Sequence, residues 1–379
     1  MIIIVFILVI LLIPYIVDGI NIFKNIVKRR GIGQWNDDFE WINKVTLVNE
    51  KWILNTPTVK KTDNDRLIII DMLKHDYKNN TIQSWQKGLS YLAYAENFDA
   101  RYMNYFIDDH GNWIHKPTEV DFGILAFAIL KSAMDKYSIK NAMDEMYDLI
   151  VNKIGDDRTV MYRDSCPNYR FVDTIGFITP FLATYGLTYN NEEAINLSLK
   201  QLNDYYKYGF DNNSCLPVHA YDILTYTPLG VYGWGRGTGW YLLGLIDTYL
   251  VLKDENLKNI ILNLAEQYLK YQNENGSFSP MLQLKNGADS SITSIMAYYY
   301  VKCADIFKEQ KFYNCSKKCL EYLKSITRKN GEIDYSQGDT KGIGYYSITY
   351  DIMPFTQGMT CRAINSLRSI KRDYGEFKN

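Results

Sequence analysis

The chain has 379 residues, of which 47% are hydrophobic and 15% aromatic, enough for one large core or two smaller ones. Its formal net charge of −1 excludes the global basic field by which proteins attract nucleic acid. The 32 tyrosines and 7 tryptophans fit either a helical core or a sugar-binding cleft, because aromatic rings stack on the apolar faces of pyranoses.

The N-terminal segment Met1–Val17 is nearly all Ile, Val, Leu and Phe. It has neither a basic start nor a small-residue cleavage site, so the pattern favours an uncleaved single-pass membrane anchor over a signal peptide. Lys24, Lys28, Arg29 and Arg30 follow, and the positive-inside rule then puts the main domain on the cytoplasmic side. We therefore divide the chain into an anchor (1–23), a basic and polar connector (24–37) and one large domain (38–379).

Beyond the connector, apolar residues recur at i, i+3, i+4 and i+7 and alternating strand patterns are scarce, which predicts an all-α domain. One set of predicted helices is apolar on nearly all sides, as buried helices are: Ser84–Asn97, Asp121–Ala133, Asp173–Tyr185, Thr238–Leu252, Ser290–Val301 and Phe355–Leu367. A second set is amphipathic and includes Asn141–Lys153, Asn191–Lys207 and Lys311–Arg328. Their alternation predicts an (α/α)6 barrel, a six-hairpin toroid whose inner ring is the buried set. Parallel inner helices would bring their N-termini together, where helix dipoles favour an anionic ligand.

Two aspartates lie where buried helices are predicted to begin. Asp173 opens a very apolar helix, where desolvation would raise the pKa of its carboxyl group, as a general acid requires. Asp121 has the same setting, and a pair of carboxylates is the usual equipment of glycoside hydrolysis. Both positions also fit a helix N-cap, which is the commoner role of aspartate there.

The segment Gly233–Trp240 reads Gly-Trp-Gly-Arg-Gly-Thr-Gly-Trp, and such alternating glycines let the backbone approach a ligand closely. Trp234 and Trp240 offer stacking faces, and Arg236 offers a forked donor for a carboxylate or hydroxyls. No strand precedes the segment, which argues against a dinucleotide fingerprint. His219, in the loop just before it, fits a structural and a functional role equally.

A second Gly-rich stretch, residues 338–346, comes before the last buried helix. It either covers the mouth of a cleft or forms an ordinary long turn. The 6 cysteines form neither a CxxC pair nor a cluster with zinc spacing. We expect free, mostly buried thiols and no metal site, a pattern that favours a reducing compartment.

Several collinear segments resemble those of the unsaturated glucuronyl and rhamnogalacturonyl hydrolases, glycoside hydrolase families 88 and 105. The resemblance covers roughly residues 80–370 and is carried by Phe171–Thr174, Val218–Asp222, Trp234–Trp240, Asp289–Ser291, Gly338–Thr340 and Gln357–Gly358. The Trp-Gly-Arg-Gly-x-Gly-Trp run is the specific part, and the other segments follow in family order.

The resemblance implies an (α/α)6 barrel that needs no cofactor or metal and acts on an oligosaccharide with an unsaturated uronyl end. In that chemistry an aspartate protonates C4 of the C4=C5 double bond, water adds to C5, and the resulting hemiketal opens and releases the aglycone. Asp173 matches the acid/base position and Asp121 the second aspartate. His219, Arg236 and Trp240 match sugar-binding positions, and Trp85 stands where the family often has another aromatic residue. Trp234 is a further substrate-binding candidate because of its place in the Gly-rich motif.

The chain also departs from the family pattern. Thr238 stands where the family more often has Asn, and Tyr162 stands where a His often lies about eleven residues before the acid. The anchor is unusual too. Because of these departures the identity of the substrate stays open. It could be a different uronyl sugar or a saturated one. Two other functions stay open: a membrane-anchored sugar-binding protein without turnover, and an ordinary two-carboxylate glycosidase or a lyase on the same toroid. The sequence makes no prediction about oligomeric state.

Overall fold

The computed structural model describes residues 2–79, 82–95, 101–284 and 287–374, without the side chains of residues 4–10, 83 and 372. Helices dominate these ranges, as the sequence predicts. They are α1 (Ile2–Arg29), α2 (Asp38–Leu54), α3 (Ile68–Leu73), α4 (Gln83–Ala95), α5 (Gly123–Ser132), α6 (Lys140–Val151), α7 (Val172–Tyr189), α8 (Glu192–Tyr208), α9 (Gly235–Leu252), α10 (Glu255–Tyr268), α11 (Ser290–Phe307), α12 (Gln310–Ser325) and α13 (Pro354–Ile370).

Short antiparallel strands of two or three residues tie the loops together, a feature that the all-α prediction did not contain. β1 pairs with β2, β4 lies between β3 and β5, and β6 pairs with β7. The strands are β1 (Val59–Lys60), β2 (Lys78–Asn79), β3 (Tyr169–Phe171), β4 (Ala220–Asp222), β5 (Pro228–Leu229), β6 (Ser336–Gln337) and β7 (Tyr350–Asp351).

The buried helices form a closed inner ring. α4, α5, α7, α9, α11 and α13 contact one another in that order, and α13 packs back on α4. These are the six segments that the sequence predicts as buried, although the predicted end of the first, at Asn97, lies outside the described residues. Their side chains are buried on all faces, for example along Gly235–Tyr249 of α9, because each inner helix is surrounded by protein.

The outer helices are amphipathic and cover the ring. In α8, burial recurs every three or four residues, from Ala194 through Leu197 and Gln201 to Tyr205. α2, α6, α10 and α12 show the same one-sided burial. Between α4 and α5 the described residues include two 3-10 turns (Met103–Tyr105 and Val120–Phe122) and no outer helix. The arrangement is the predicted toroid, with five outer helices among the described residues.

Glycines set the close contact between α7 and α9. A Cβ atom on Gly176 of α7 would lie 2.8 Å from the carbonyl oxygen of Trp240, and one on Gly244 of α9 would lie 2.6 Å from that of Ile175. Such distances are shorter than side chains tolerate, so any larger residue would push the two helices apart. The two helices that carry Asp173 and Trp240 are therefore held at minimal separation.

A buried ionic group joins three inner helices. Arg362 on α13 donates to both carboxylate oxygens of Asp247 on α9, at 2.7 and 2.8 Å, and Tyr298 on α11 donates to the same carboxylate at 2.7 Å. Removing one member of such a buried pair costs far more than the pair itself contributes. All 6 cysteines are free, and only Cys166 and Cys215 are not fully buried, which confirms the prediction of free, mostly buried thiols.

Helix α1 continues without a break to Arg29, past the predicted boundary at residue 23. In the part of the chain that the structure describes, no helix has the combination of length and apolar character that crossing a membrane requires. The predicted membrane anchor therefore has no support, and the side chains of residues 4–10, on which it partly rests, lie outside the described residues. The C-terminal half of α1 instead contacts the barrel, where Asp18 accepts hydrogen bonds from the backbone N–H groups of Leu67 and Ile68 at 2.6 and 3.1 Å.

Candidate active site

A cavity of about 510 Å³ lies at the end of the barrel where α4, α7 and α9 begin. The predicted convergence of inner-helix N-termini is therefore present for these three helices. Five of the seven predicted site residues line the cavity, namely Trp85, Asp173, His219, Arg236 and Trp240. Asp121 and Trp234 are not among the residues that line it.

Asp173 is the second residue of α7 and does not cap it. The N-cap position belongs to Phe171, which makes no side-chain capping bond, and β3 holds this entry by pairing with β4. Among the described residues, the buried Oδ2 atom of Asp173 has no hydrogen-bond partner. Burial raises the pKa of this carboxyl group to about 7, against the opposing charge of Arg236. Near neutral pH the cavity thus contains a carboxylic acid that can still donate its proton.

His219 faces that carboxyl group, with Nε2 3.6 Å from Oδ2 of Asp173. Burial and, after it, the charge of Arg236 lower the pKa of the imidazole to about 4. His219 is therefore neutral at pH 7. Because the pKa of His219 is lower than that of Asp173, the imidazole does not take the proton from the carboxyl group. The two groups therefore lie together without forming an ion pair.

Asp121 lies buried in a 3-10 turn (Val120–Phe122) just before α5. Ser84 donates its hydroxyl to Oδ1 at 3.4 Å, and Nη2 of Arg163 lies 3.8 Å from Oδ2. Burial raises the pKa of Asp121 to about 6, although the charge of Arg163 opposes this. The Arg163 side chain, which does line the cavity, contacts Asp121, and the expectation that both aspartates face one cleft stays a prediction.

The side chains of the segment Gly233–Trp240 mainly bind the loop that begins at Gln337 rather than offer free donors to a ligand. Arg236 donates through Nη1 to the carbonyl of Gln337 at 2.7 Å and through Nη2 to that of Gly338 at 2.8 Å. Trp234 donates Nε1–H to the side chain of Gln337 at 3.1 Å and stacks on Tyr346. The ring of Trp234 packs between His219 and this loop, and its role as a stacking face for a sugar stays a prediction.

Trp85, Phe177 and Trp240 form part of the apolar wall of the cavity. The ring centroids of Trp85 and Trp240 lie 5.4 Å apart in an edge-to-face contact, and Phe177 lies 4.7 Å from Trp240. These distances match the preferred geometry of interacting aromatic pairs. The sequence does not predict Phe177 as a site residue. It lies in a helix that is apolar throughout, where a ring that faces a cavity cannot be told from a ring of the core.

Further charged groups line the cavity from loops. Asp339, Thr340 and Lys341 belong to the Gly-rich stretch 338–346, which therefore does reach the cavity, and Arg163 lies next to Tyr162. Burial raises the pKa of Asp339 against the charge of Arg236. The segment Gly338–Thr340 is part of the family resemblance, so the sequence did point to Asp339. No motif pointed to Arg163, which only follows Tyr162, a position where the chain departs from the family.

A closed helical ring whose cavity combines buried carboxyl groups, cationic side chains and aromatic rings is typical of a toroidal glycoside hydrolase. The family model of Glycosyl Hydrolase Family 88 matches residues 70–369, and the chain belongs to this family. No curated protein matches the sequence.

Many solved structures share the fold. One is a possible member of the GH105 family from Klebsiella pneumoniae, with a TM-score of 0.71, 13% identity and coverage of 89% of this chain and 95% of the other. An unsaturated glucuronyl hydrolase from Bacillus sp. GL1 has a TM-score of 0.63, 14% identity and coverage of 88% and 95%. A structure with the oligosaccharide dGlcA-Glc-Rha-Glc has a TM-score of 0.64, 14% identity and coverage of 88% and 96%. At these identities the likeness concerns the fold.

Proposed function

We propose that this family 88 hydrolase releases an unsaturated uronic acid from the end of an oligosaccharide by hydrating its C4=C5 double bond. The observation that carries the proposal is the carboxyl group of Asp173, which is buried in the cavity, has no hydrogen-bond partner on Oδ2, and has a pKa of about 7. An alkene carbon has no lone pair, so it cannot accept a hydrogen bond from the acid before the proton is transferred. A buried acid without a hydrogen-bond partner on Oδ2 therefore suits the protonation of carbon.

In the proposed reaction Asp173 transfers its proton to C4, and positive charge develops at C5 next to the ring oxygen. The carboxylate that remains accepts a proton from the water molecule that adds to C5. One residue thus serves as acid and then as base. The hemiketal formed at C5 opens and releases the aglycone.

The cavity supports an anionic sugar on one side and an apolar sugar face on the other. Arg163 and Lys341 line the cavity with positive charge, although each also contacts a carboxylate, Glu119 at 2.9 Å and Asp63 at 2.6 Å. Trp85 and Trp240 supply the aromatic wall on which a pyranose can stack. We expect the uronyl carboxylate to bind on the cationic side and the ring to lie against the tryptophans.

The test is to treat polysaccharides with lyases and follow the ultraviolet absorbance of the conjugated enol-ether acid after adding the protein. We expect the absorbance to decay with wild-type protein and to persist with Asp173→Asn, while the exposed-site control Asp109→Asn behaves as wild type. The rate should fall as the pH rises through about 7, because Asp173 then loses the proton that it must donate. An Asp173→Asn variant as fast as wild type would refute the proposal.

Product analysis separates the remaining functions. Hydration of the double bond leaves a keto-acid, whereas an ordinary two-carboxylate glycosidase leaves a reducing sugar and an intact ring. A sugar-binding protein without turnover would bind the oligosaccharide and leave the absorbance unchanged in both wild type and Asp173→Asn.

A further inference from the structure

Two loop segments form part of the rim of the cavity. The first, here called the rim hairpin, comprises residues 336–351, with β6 and β7 at its base and Asp339 and Lys341 facing the cavity. The second, here called the strap, comprises residues 59–79, with β1 paired to β2, and it contributes Asn79 to the cavity. Neither segment belongs to the inner ring, although Trp234 and Arg236 at the start of α9 bond to residues 337 and 338 at the start of the rim hairpin.

The rim hairpin and the strap are bonded directly to each other. Asp63 of the strap accepts a hydrogen bond from Ser347 at 2.5 Å and forms an ion pair with Lys341 at 2.6 Å. Nδ2 of Asn79 donates to Oδ2 of Asp339 at 3.2 Å. Because these contacts involve the same side chains that line the cavity, a shift of either segment would move them.

Helix α1 contacts both segments from outside the barrel. Asp18 caps the backbone N–H groups of Leu67 and Ile68 at the start of α3 in the strap. Eleven residues further along α1, Arg29 donates to both oxygens of Asp334, at 2.8 and 2.9 Å, and to the backbone carbonyl of Tyr350 at 2.9 Å.

We propose that Arg29 is a positioning residue of the active site, which holds the base of the rim hairpin and thereby fixes Asp339 and Lys341 against the substrate. Its guanidinium joins the two sides of the hairpin base, since Asp334 comes just before β6 and Tyr350 lies in β7. A bidentate bond of this kind needs the planar fork of arginine, which lysine lacks. The expected effect of Arg29 on the kinetics rests on the proposed function. Its expected effect on the position of the rim hairpin does not.

The carboxylate of Asp334 does not depend on Arg29 alone. It is fully buried, and Nε of Arg328 donates to it at 2.7 Å. Burial by itself would raise the pKa of Asp334, but the hydrogen bonds from Arg29 and Arg328 bring it below its usual value. Loss of Arg29 therefore leaves the carboxylate charged and paired, while the bond to Tyr350 disappears. The fold should survive, and the hairpin base should loosen.

The test compares Arg29→Ala and Arg29→Lys with the matched control Arg30→Ala, which removes the same charge from an exposed neighbour. Hydrogen–deuterium exchange of the intact protein reports on the segments without any substrate. In wild type the N–H of Gly338 is bonded to the carbonyl of Thr349 and should exchange slowly. We expect faster exchange in the rim hairpin of both Arg29 variants, with α10 and the Arg30→Ala protein unchanged.

In the absorbance assay we expect KM to rise and kcat to change little in the Arg29 variants, with kcat/KM falling by up to about 100-fold, the loss that a misplaced contact can cause. Unchanged exchange in the rim hairpin would overturn the inference, and so would exchange that rises equally in α10, because Arg29 would then support the whole fold. If wild-type protein hydrates no lyase product, the proposed function fails while the exchange measurement still decides the role of Arg29.

Discussion

Replacing Asp173 with Asn should stabilise the protein at alkaline pH while it abolishes turnover. In the folded protein the pKa of Asp173 is about 7, against an ordinary value of 3.8, so above pH 7 burial of the charged carboxylate costs about 4 kcal/mol of unfolding free energy. Below pH 3.8 the group is protonated in both states and costs nothing. Between these values the unfolded chain releases the proton and the folded protein keeps it, so stability falls as the pH rises.

Asn resembles the protonated acid in shape and cannot ionise. Relative to wild type, Asp173→Asn should therefore gain little at pH 4 and up to about 4 kcal/mol at pH 8. Urea denaturation followed by circular dichroism at both pH values measures this difference. The exposed-site variant Asp109→Asn should differ from wild type equally at both pH values. A pH-independent difference for Asp173→Asn would mean that the acid is not held protonated, and the proposed mechanism would lose its proton donor.

Four further substitutions test the packing of the site and of the inner ring. Gly176→Ala should cost about 1–3 kcal/mol in a urea titration and raise KM, because the new Cβ would meet Trp240 at 2.8 Å. Arg362→Met should cost about 3–5 kcal/mol in the same titration by leaving Asp247 buried without its arginine, and adding Asp247→Leu should recover much of that loss. Trp85→Phe should weaken oligosaccharide binding, measured by calorimetry, by about 0.5–1.5 kcal/mol with little change in kcat.

The inner ring was predictable because helices buried on every face have apolar or small residues at nearly all positions. The predicted helix Asp173–Tyr185 corresponds to α7 (Val172–Tyr189), and Ser290–Val301 corresponds to the first two-thirds of α11. The predicted helix at Asp121 begins two residues late, at Gly123, because the chain enters through a 3-10 turn. The short strands were not predictable, since two or three residues carry no periodicity.

The candidate site was predictable in composition but less so in geometry. Motif spacing brought together Asp173, His219 and Trp240, which do line one cavity. It could not show that Trp234 turns its ring toward the rim hairpin, because that contact depends on a residue more than one hundred positions away. The clamp between Arg29 and Asp334 joins residues 305 positions apart, and in the sequence Arg29 reads only as part of a basic run after an apolar segment.

The closure of the inner ring has a consequence for synthesis. α13 seals the toroid against α4, and Gln357 on α13 donates to the carbonyl of Val45 on α2, 312 positions earlier. Contacts of such long range form late and slow folding. While the ribosome is still adding α11 and α12, the apolar flank of α4 has no neighbour, and partly made chains expose surface that promotes aggregation. We therefore expect nascent chains of this toroid to need chaperone protection until their last inner helix has emerged.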